Sequence, residues 1–259
     1  MQLPAFPMLE WQTFLLCLAR VAAVIGSMPV FSGKQAPVRM RAGLAMAVAV
    51  LLYPVVREHI PEQSLQPVHL MIFMLNEILL GILLGFTARL IFTAAQFGGT
   101  VVGYQMGFAA ANIIDPQSQQ QIPLLSQFQN VLAILVFLAV NAHHVFFRAL
   151  ARSFEVIPPG QQELTGGAVP FLMQLAGDMF VLGVQLSAPI MAVLAISHFI
   201  LGVMSRVFSQ LNVFLLSFPI NIGLALIMFG LTLDLVVALL NREFHALDER
   251  FVRILQLVS

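Results

Sequence analysis

Four stretches of this chain contain no charged residue, and each is longer than a membrane span. They cover residues 90–114, 116–147, 179–205 and 207–233. A helix needs roughly 20 apolar residues to cross about 30 Å of hydrocarbon. Because no water is present there, the backbone of such a segment must satisfy its own polar groups in a helix or a closed barrel. The stretches lack the apolar–polar alternation of barrel strands. They therefore predict an all-α integral membrane protein of long, partly broken helices.

The composition excludes most soluble proteins. Of 259 residues, 59% are apolar and 9% are charged, whereas soluble domains carry about 25% charged residues. So few charges cannot cover a water-facing surface of this size. Twelve basic and twelve acidic residues cancel, so no net field attracts polyanions. We expect contact with membrane lipid, and we expect no nucleic-acid partner, no soluble enzyme and no disordered chain.

Helix boundaries follow from the loops and the prolines. The segments predicted to be helical are residues 10–31, 42–57, 68–110, 123–153, 170–205 and 211–255. Pro189 and Pro219 indicate breaks in the last two of these, because proline removes a helical hydrogen bond. Since the sequence has no Gly/Ser linker and no clear repeat, we predict a single helical domain over residues 1–259.

The basic residues of the first helix and the first loop indicate whether the first apolar stretch is cleaved and which side of the membrane the first loop faces. No basic residue precedes Arg20, so we expect the first apolar stretch to be retained rather than cleaved as a signal peptide. Lys34, Arg39 and Arg41 face no acidic residue in the first loop. By the positive-inside rule, this loop is predicted to face the cytoplasm.

Charged residues inside apolar segments are costly, at about 2.5–3.5 kcal/mol each near a helix centre on insertion scales. The predicted buried charges are Arg20, Glu77, Arg89, Asp178, Asp234 and Arg206. They could form a proton or ion path, or they could pair with one another or with partner subunits away from lipid. We favour the second interpretation. Glu77 and Arg89 lie about 18 Å apart along one helix, so they are not expected to pair with each other.

Glycines spaced four residues apart predict close helix packing. Such spacing leaves a flat stripe along which another backbone can approach. The predicted packing residues are Gly81, Gly85, Gly99, Gly103 and Gly107. The last three form a doubled GxxxG pattern, which indicates a helix crossing or a subunit contact.

A polar segment lies in the region between Leu90 and Phe147, where Asp115 is the one charged residue. Pro116 and Pro123 prevent a continuous helix there, and Asp115-Pro116 is typical of a turn. The glutamine side chains supply both donors and acceptors. The segment is either a surface hairpin or a polar loop in a water-filled cavity, where irregular backbone is tolerated at membrane depth.

The sequence contains no candidate enzyme motif. The patterns GxxxxGK[ST], HExxH and GxSxG are absent from the sequence. The adjacent His143 and His144 are expected to point about 100° apart on a helix, too far apart to share a metal ion. Asp178 and Asp234 lack the surroundings of an intramembrane aspartyl pair. We predict no catalytic residue, no metal site and no cofactor.

Several motifs resemble the FliR family of type III export-gate subunits. The first region reads QMGF at residues 105–108, DPQS at 115–118 and LLSQF at 124–128. The second reads SRVFSQLNVF at 205–214, followed by Phe218-Pro219. Near the start, Ala19-Arg20, MPVF at 28–31 and PVR at 37–39 also fit. The resemblance is collinear over nearly the whole chain.

This resemblance implies a role and a set of partners. Members of the family assemble with FliP and FliQ into a helical entry portal for unfolded export substrates, beside FlhB and FlhA, in the bacterial inner membrane at the flagellar basal body. The chain would supply part of the pore wall and a luminal plug. The matching plug residues are Gly107, Phe108, Asn112, Asp115, Pro116, Gln117, Ser118, Gln119, Gln120, Gln121 and Ile122.

Two alternatives remain at this point. A stand-alone secondary transporter or ion channel would use the intramembrane charges as a coupling path. The inverted repeats expected of many transporters are not evident in the sequence. The injectisome counterpart of the export gate differs only in the machine it serves, and the DPQS motif favours flagella.

Overall fold

The computed structural model describes residues 8–32, 37–57, 66–107, 124–159, 167–208, 210 and 212–258. These ranges contain helices and no strand, which confirms the all-α prediction. The helices are α1 (Met8–Ser27), α2 (Pro29–Ser32), α3 (Val38–Arg57), α4 (Pro67–Gln105), α5 (Leu124–Ala139), α6 (Ala142–Val156), α7 (Ala168–Val207), α8 (Val213–Leu231), α9 (Leu233–His245) and α10 (Leu247–Val258).

Within the part of the chain that the structure describes, three helices are long and apolar enough to cross a membrane: Leu9–Ser27, Pro67–Gln105 and Ala168–Val207. The count rises to five if each of two bent helix pairs, 124–156 and 215–258, forms one span. Helices α4 and α7 have 39 and 40 residues, which is about 60 Å each. Both are therefore much longer than the hydrocarbon core is thick.

The prolines do not break the helices where the sequence predicted. Pro189 lies inside α7 and Pro219 lies inside α8, so both predicted breaks are wrong. In apolar surroundings, neighbouring helices and hydroxyl side chains can satisfy the carbonyl that a proline leaves without a donor. The breaks occur instead at 140–141, at Thr232 and at Ala246. Asn141 adopts a left-handed conformation at the first of these, with φ 56° and ψ 28°.

The chain divides into two compact units. The first comprises residues 1–90, 141–175 and 244–259, and the second comprises 91–140 and 176–243. Helices α4, α7 and α9 contribute residues to both units. The single domain over residues 1–259 stays a prediction.

In the first unit, α1 contacts α2 and α3, while α6 contacts α3 and α10. The buried core includes Val21 and Ile25 of α1 and Phe154 of α6. Phe146 of α6 and Phe251 of α10 meet edge to face, with ring centroids 4.9 Å apart. Aromatic pairs favour this arrangement, so the apolar faces of these amphipathic helices are covered by one another.

The second unit has a core contributed by α4, α5, α7 and α8. Its buried members are Val102, Met106, Leu125, Ile190, Leu194, Ala225 and Phe229. Phe128 packs edge to face against Phe229, with centroids 5.4 Å apart. This core lies next to the end of α4 and the start of α5, the two helices that flank the predicted plug segment.

Candidate functional site

Two of the predicted intramembrane charges form an ion pair in the first unit. Arg20 of α1 donates through Nε to Glu77 Oε2, and Arg20 Nη2 donates to Glu77 Oε1 at 3.1 Å. Both side chains are completely buried. The pairing is bidentate, the geometry that a planar guanidinium group favours with a carboxylate.

The remaining donors of Arg20 bind the carboxyl end of α6. Nη1 donates to Ser153 O at 2.7 Å and to Ser153 Oγ at 3.1 Å, and Nη2 donates to Ile157 O at 3.0 Å. The last carbonyl groups of a helix lack helical partners and carry partial negative charge. The guanidinium also lies 4.2 Å from the centroid of the Phe154 ring. Every N–H of Arg20 is therefore engaged.

This Arg20 cluster, comprising Arg20, Glu77, Ser153, Phe154 and Ile157, connects α1, α4 and the end of α6. A buried ion pair adds little net stability, but removing one partner leaves a costly uncompensated charge. Because Arg20 has no donor left over, the cluster is suited to holding helices together and poorly suited to passing ions.

The other four predicted buried charges are exposed within the chain. They are Arg89, Asp178, Asp234 and Arg206. The chain by itself does not bury them, because they lie on helix faces that it leaves uncovered. Their burial against other subunits stays a prediction.

The first glycine pair lies where α4 meets α1. A Cβ added to Gly81 would lie 2.6 Å from Ala23 Cβ and 2.8 Å from Arg20 O. A Cβ at Gly85 would collide with Ser27 Oγ. The backbones of α1 and α4 approach so closely that only glycine fits at these positions without movement.

The second glycine group lies in the second unit. A Cβ at Gly99 would lie 2.6 Å from Ser126 Cα of α5, and one at Gly98 would lie 2.9 Å from Gly183 O of α7. Gly103 is buried on α4. The contact at Gly183 was not predicted from the sequence, although Gly183 and Ser187 have the small-xxx-small spacing that is typical of such contacts.

A polar seam, which was not predicted from the sequence, joins α4 and α5. We call Gln96, Gly99, Ser126, Gln129 and Asn130 the α4–α5 seam. Ser126 Oγ donates to Gln96 O at 2.9 Å, and Gln96 Nε2 donates to Asn130 Oδ1 at 2.8 Å. Four polar residues at positions 126–130, in a helix that is otherwise apolar, are a signal that could have revealed it.

Gln129 is the unusual member of this seam. Its side chain is 1% exposed, and neither Oε1 nor Nε2 has a hydrogen-bond partner among the described residues. A Cβ at Gly99 would lie 3.0 Å from Gln129 Oε1, so the amide faces the glycine surface of α4. Buried polar groups without partners are rare and destabilising.

Three histidines, His143, His144 and His198, take part in further side-chain contacts. Asn221 of α8 is buried, accepts from Ser197 Oγ at 2.7 Å, and lies 2.9 Å from His198 Nε2 through its Nδ2. The rings of His143 and His144 lie 4.3 Å apart between centroids, so the two side chains bend toward each other although they start from neighbouring positions on the helix. Within the described ranges, no group of three or more His, Cys, Asp or Glu residues could hold a metal ion.

Only the first residue of the predicted plug belongs to the described part of the chain. Gly107 follows α4 with φ +92°, and a Cβ there would lie 2.8 Å from the Phe218 ring. Both facts favour glycine at this position. The plug residues outside the described ranges are Phe108, Asn112, Asp115, Pro116, Gln117, Ser118, Gln119, Gln120, Gln121 and Ile122.

Comparison with protein families decides the family of the chain. Residues 11–247 match the family described as bacterial export proteins, family 1. The chain belongs to this export family. The matched range includes the Arg20 cluster, the glycine contacts and the α4–α5 seam, so these features all lie within the export-family region.

This chain is similar to known proteins along almost the full length of both chains. It is 32% identical over 249 residues to the flagellar biosynthetic protein FliR of Bacillus subtilis (strain 168), covering 95% of both chains. It is 29% identical over 243 residues to FliR of Escherichia coli (strain K12), covering 93% of this chain and 91% of that one. Against FliR of Pectobacterium carotovorum the identity is 30% over 257 residues, covering 98% and 97%. The resemblance to the FliR family is thus confirmed.

Proposed function

We propose that this protein is a subunit of the flagellar protein export apparatus in the bacterial inner membrane, where it supplies part of an export pore. One observation carries the proposal: the export-family match over residues 11–247, with relatives named as flagellar biosynthetic proteins that match along almost their full length. The flagellar names of these relatives favour the flagellum over the injectisome.

The role proposed for the helices is that of a passive wall. Arg20 and Glu77 hold α1 and α4 to the end of α6, and glycine contacts bring α4 against α1, α5 and α7. Close contacts of this kind give rigid packing without a hydrophobic driving force. We assign no catalytic step to the chain, and the energy for export would come from partners.

We further propose that residues 107–122 form a luminal plug carried between α4 and α5. The α4–α5 seam supports this proposal, because polar groups near the base of the plug could exchange their hydrogen bonds with water when the gate opens. Such exchange keeps polar groups satisfied in both states. Gln129, which has no partner among the described residues, would gain one on opening.

The proposed partners are FliP and FliQ within the gate, with FlhB and FlhA beside it and unfolded flagellar subunits passing through. The exposed charges Arg89, Asp178 and Asp234 support protein neighbours, because charges exposed to hydrocarbon would be costly. Large apolar side chains such as Phe199, which is 74% exposed, also need a cover of lipid or protein. A transporter acting alone would leave these charges without subunit contacts.

Complementation tests the proposal directly. The full chain would be expressed in a flagellated strain that lacks its own member of this family, and secretion of filament protein and swimming would be measured. We expect both to be restored, and we expect the tagged chain to co-purify with FliP and FliQ. Normal expression in the membrane without secretion or co-purification would contradict the proposal, and a stable monomer or homo-oligomer would favour the transporter.

A matched pair of variants makes this test specific. Glu77→Ala should abolish complementation by disrupting the Arg20 cluster, whereas Glu249→Ala makes the same substitution at an exposed glutamate of α10 and should have a weaker effect. Equal activity of the two variants at equal expression would show that the Arg20 cluster does not hold the subunit in its working form.

A further inference from the structure

Three polar side chains connect α7 and α8 in the second unit. Ser197 of α7 donates through Oγ to Asn221 Oδ1 at 2.7 Å, and Asn221 Nδ2 lies 2.9 Å from His198 Nε2. Asn221 and Ser197 are buried, whereas His198 is exposed. We call Ser197, His198 and Asn221 the α7–α8 link. The pore wall and the plug proposed above make no use of these groups.

The donors in this link determine where the proton of the neutral imidazole lies. An amide nitrogen donates and does not accept, so Asn221 Nδ2 needs an acceptor in His198 Nε2. That nitrogen accepts only when it carries no proton, which places the single proton of the neutral ring on Nδ1. The Ser197 hydroxyl fixes this arrangement, because its one proton goes to Asn221 Oδ1 and so turns the amide nitrogen toward the ring.

Protonation of the ring is incompatible with this contact. A charged imidazole donates from both nitrogens, so Nε2–H would face the N–H of Asn221. Turning the amide over would bring Oδ1 to the ring, but Ser197 Oγ would then have to accept from Nδ2 and send its own proton to another acceptor. The hydrogen bonds of the α7–α8 link are therefore made only with a neutral ring.

Helix α8 offers no counter-charge to a protonated His198. Neither α8 nor α5 contains a titratable residue. On α7, the charged residues of this unit are Asp178 and Arg206, about 30 Å and 12 Å from His198 along the helix. The described titratable side chains that other helices contribute to the unit are Tyr104 of α4 and Asp234, Arg242 and Glu243 of α9. A proton on His198 thus weakens the contact with α8 without a new ion pair on that helix.

The same face of α8 contacts the first residue of the proposed plug. Phe218 lies three residues before Asn221, so both side chains lie on one face of α8. A Cβ at Gly107 would lie 2.8 Å from the Phe218 ring. One turn of α8 therefore separates the contact with His198 from the contact with the base of the plug.

We propose that the α7–α8 link is a proton-binding site, and that protonation of His198 weakens the contact between α8 and the base of the plug. The proton reaches the exposed imidazole from water in the pore. This regulatory role rests on the proposed export pore, whereas the position of the proton on the neutral ring does not. The link is lost as the pH falls through the range in which imidazole groups titrate, about pH 5–8.

Nitrogen NMR of the full chain, with isotope-labelled histidine, tests the site itself. The chain would be reconstituted in nanodiscs at about pH 8, and the His198 signals would be assigned as those absent from His198→Gln. We expect the neutral ring to carry its proton on Nδ1. Asn221→Leu, which removes the donor, should lose this preference. A neutral wild-type ring protonated on Nε2 would overturn the proposal.

Ion conductance of the assembled export complex tests the effect on the plug. From about pH 8 to pH 5, the wild-type leak should rise by about two- to tenfold, the factor that corresponds to one lost hydrogen bond. His198→Gln keeps an acceptor that does not titrate and should stay tight throughout. His198→Lys carries a positive charge over the whole range and should leak throughout. His144→Gln, at an exposed histidine of α6, is the control and should respond like the wild type.

Failure of this proposal and failure of the proposed plug give different results. A conductance that ignores pH, in a complex that does leak when residues 115–121 are deleted, would contradict proton binding as the control and leave the plug intact. A wild-type pH response in His198→Gln would also overturn the proposal, because another group would then bind the proton. If neither pH nor the deletion changes the conductance, the plug and its regulation both fail.

Discussion

The two buried polar regions of this molecule differ in how completely their hydrogen bonds are made. In the Arg20 cluster of the first unit, every N–H of the buried guanidinium donates to an oxygen, either of the Glu77 carboxylate or of α6 and the residue that follows it. In the α4–α5 seam of the second unit, the amide of Gln129 is equally buried but has no partner among the described residues. A network in which every hydrogen bond is made resists rearrangement. A buried polar group without a partner is instead stabilised when water reaches it and supplies the missing hydrogen bond. This contrast suggests one region that holds helices and another that separates.

The largest effect is expected from breaking the ion pair. Glu77→Ala leaves the Arg20 guanidinium buried without its counter-charge, which should lower the free energy of unfolding by about 3–5 kcal/mol. The thermal midpoint of the detergent-solubilised chain measures this. Asp234→Asn, at an exposed carboxylate, is the control and should change the midpoint little. If both variants unfold at the wild-type temperature, the Arg20 cluster does not hold the first unit together.

A smaller loss is expected where α4 packs against α1. Gly81→Ala places a Cβ within 3 Å of the α1 backbone, and overpacking of this kind costs about 1–3 kcal/mol. Gly43→Ala on α3 is the matched control, because a Cβ there meets no atom within 4 Å. Since alanine is the better helix former, Gly43→Ala should be neutral or slightly stabilising. A neutral Gly81→Ala would show that α1 and α4 can move apart at little cost.

A substitution at Gln129 in the α4–α5 seam should raise the free energy of unfolding, whereas the two substitutions above lower it. Gln129→Leu replaces an amide that has no partner among the described residues by an apolar group of similar size, and it should raise the free energy of unfolding by about 1–3 kcal/mol. If the seam must open for export, secretion should fall although the protein is more stable. Gln96→Leu is a useful control, because Gln96 Nε2 has a partner in Asn130. Lower stability of Gln129→Leu would contradict the contrast between the two regions.

The smallest effect tests a satisfied polar contact within the second unit. Ser197→Ala removes the hydroxyl that donates to Asn221 Oδ1 and should lower the free energy of unfolding by about 0.5–1.5 kcal/mol. Thermal unfolding measures the change, with Ser205→Ala as control because Ser205 is exposed and its Oγ donates to Gly202 O within its own helix turn. An increase in stability would show that the hydrogen bond between Ser197 and Asn221 does not stabilise the second unit.

The sequence was sufficient to predict the long helices and several glycines at close contacts, but not which helices contact one another. Charge-free stretches identify membrane helices because a single physical requirement, satisfaction of the backbone in lipid, determines their length and type. The same requirement explains the error at Pro189 and Pro219, since a helix surrounded by other helices can continue through a proline.

The partners of the polar side chains follow from the fold and not from the sequence pattern. Arg20 and Glu77 stand out as charges in apolar segments, but they are 57 residues apart, and only the fold brings them together. Gln129 carries no charge, so a search for misplaced charges does not find it. Cation–π contacts and cavities depend on which helices are neighbours, and periodicity along one helix does not contain that information.

The most direct test of the proposed gate is the ion conductance of membranes that contain the assembled export complex. Deleting residues 115–121 should open a leak, because the polar segment proposed to close the pore is removed. A deletion of equal length at residues 160–166 is the matched control and should leave the membrane tight. A conductance unchanged by the first deletion, in a complex that still contains FliP and FliQ, would contradict the account.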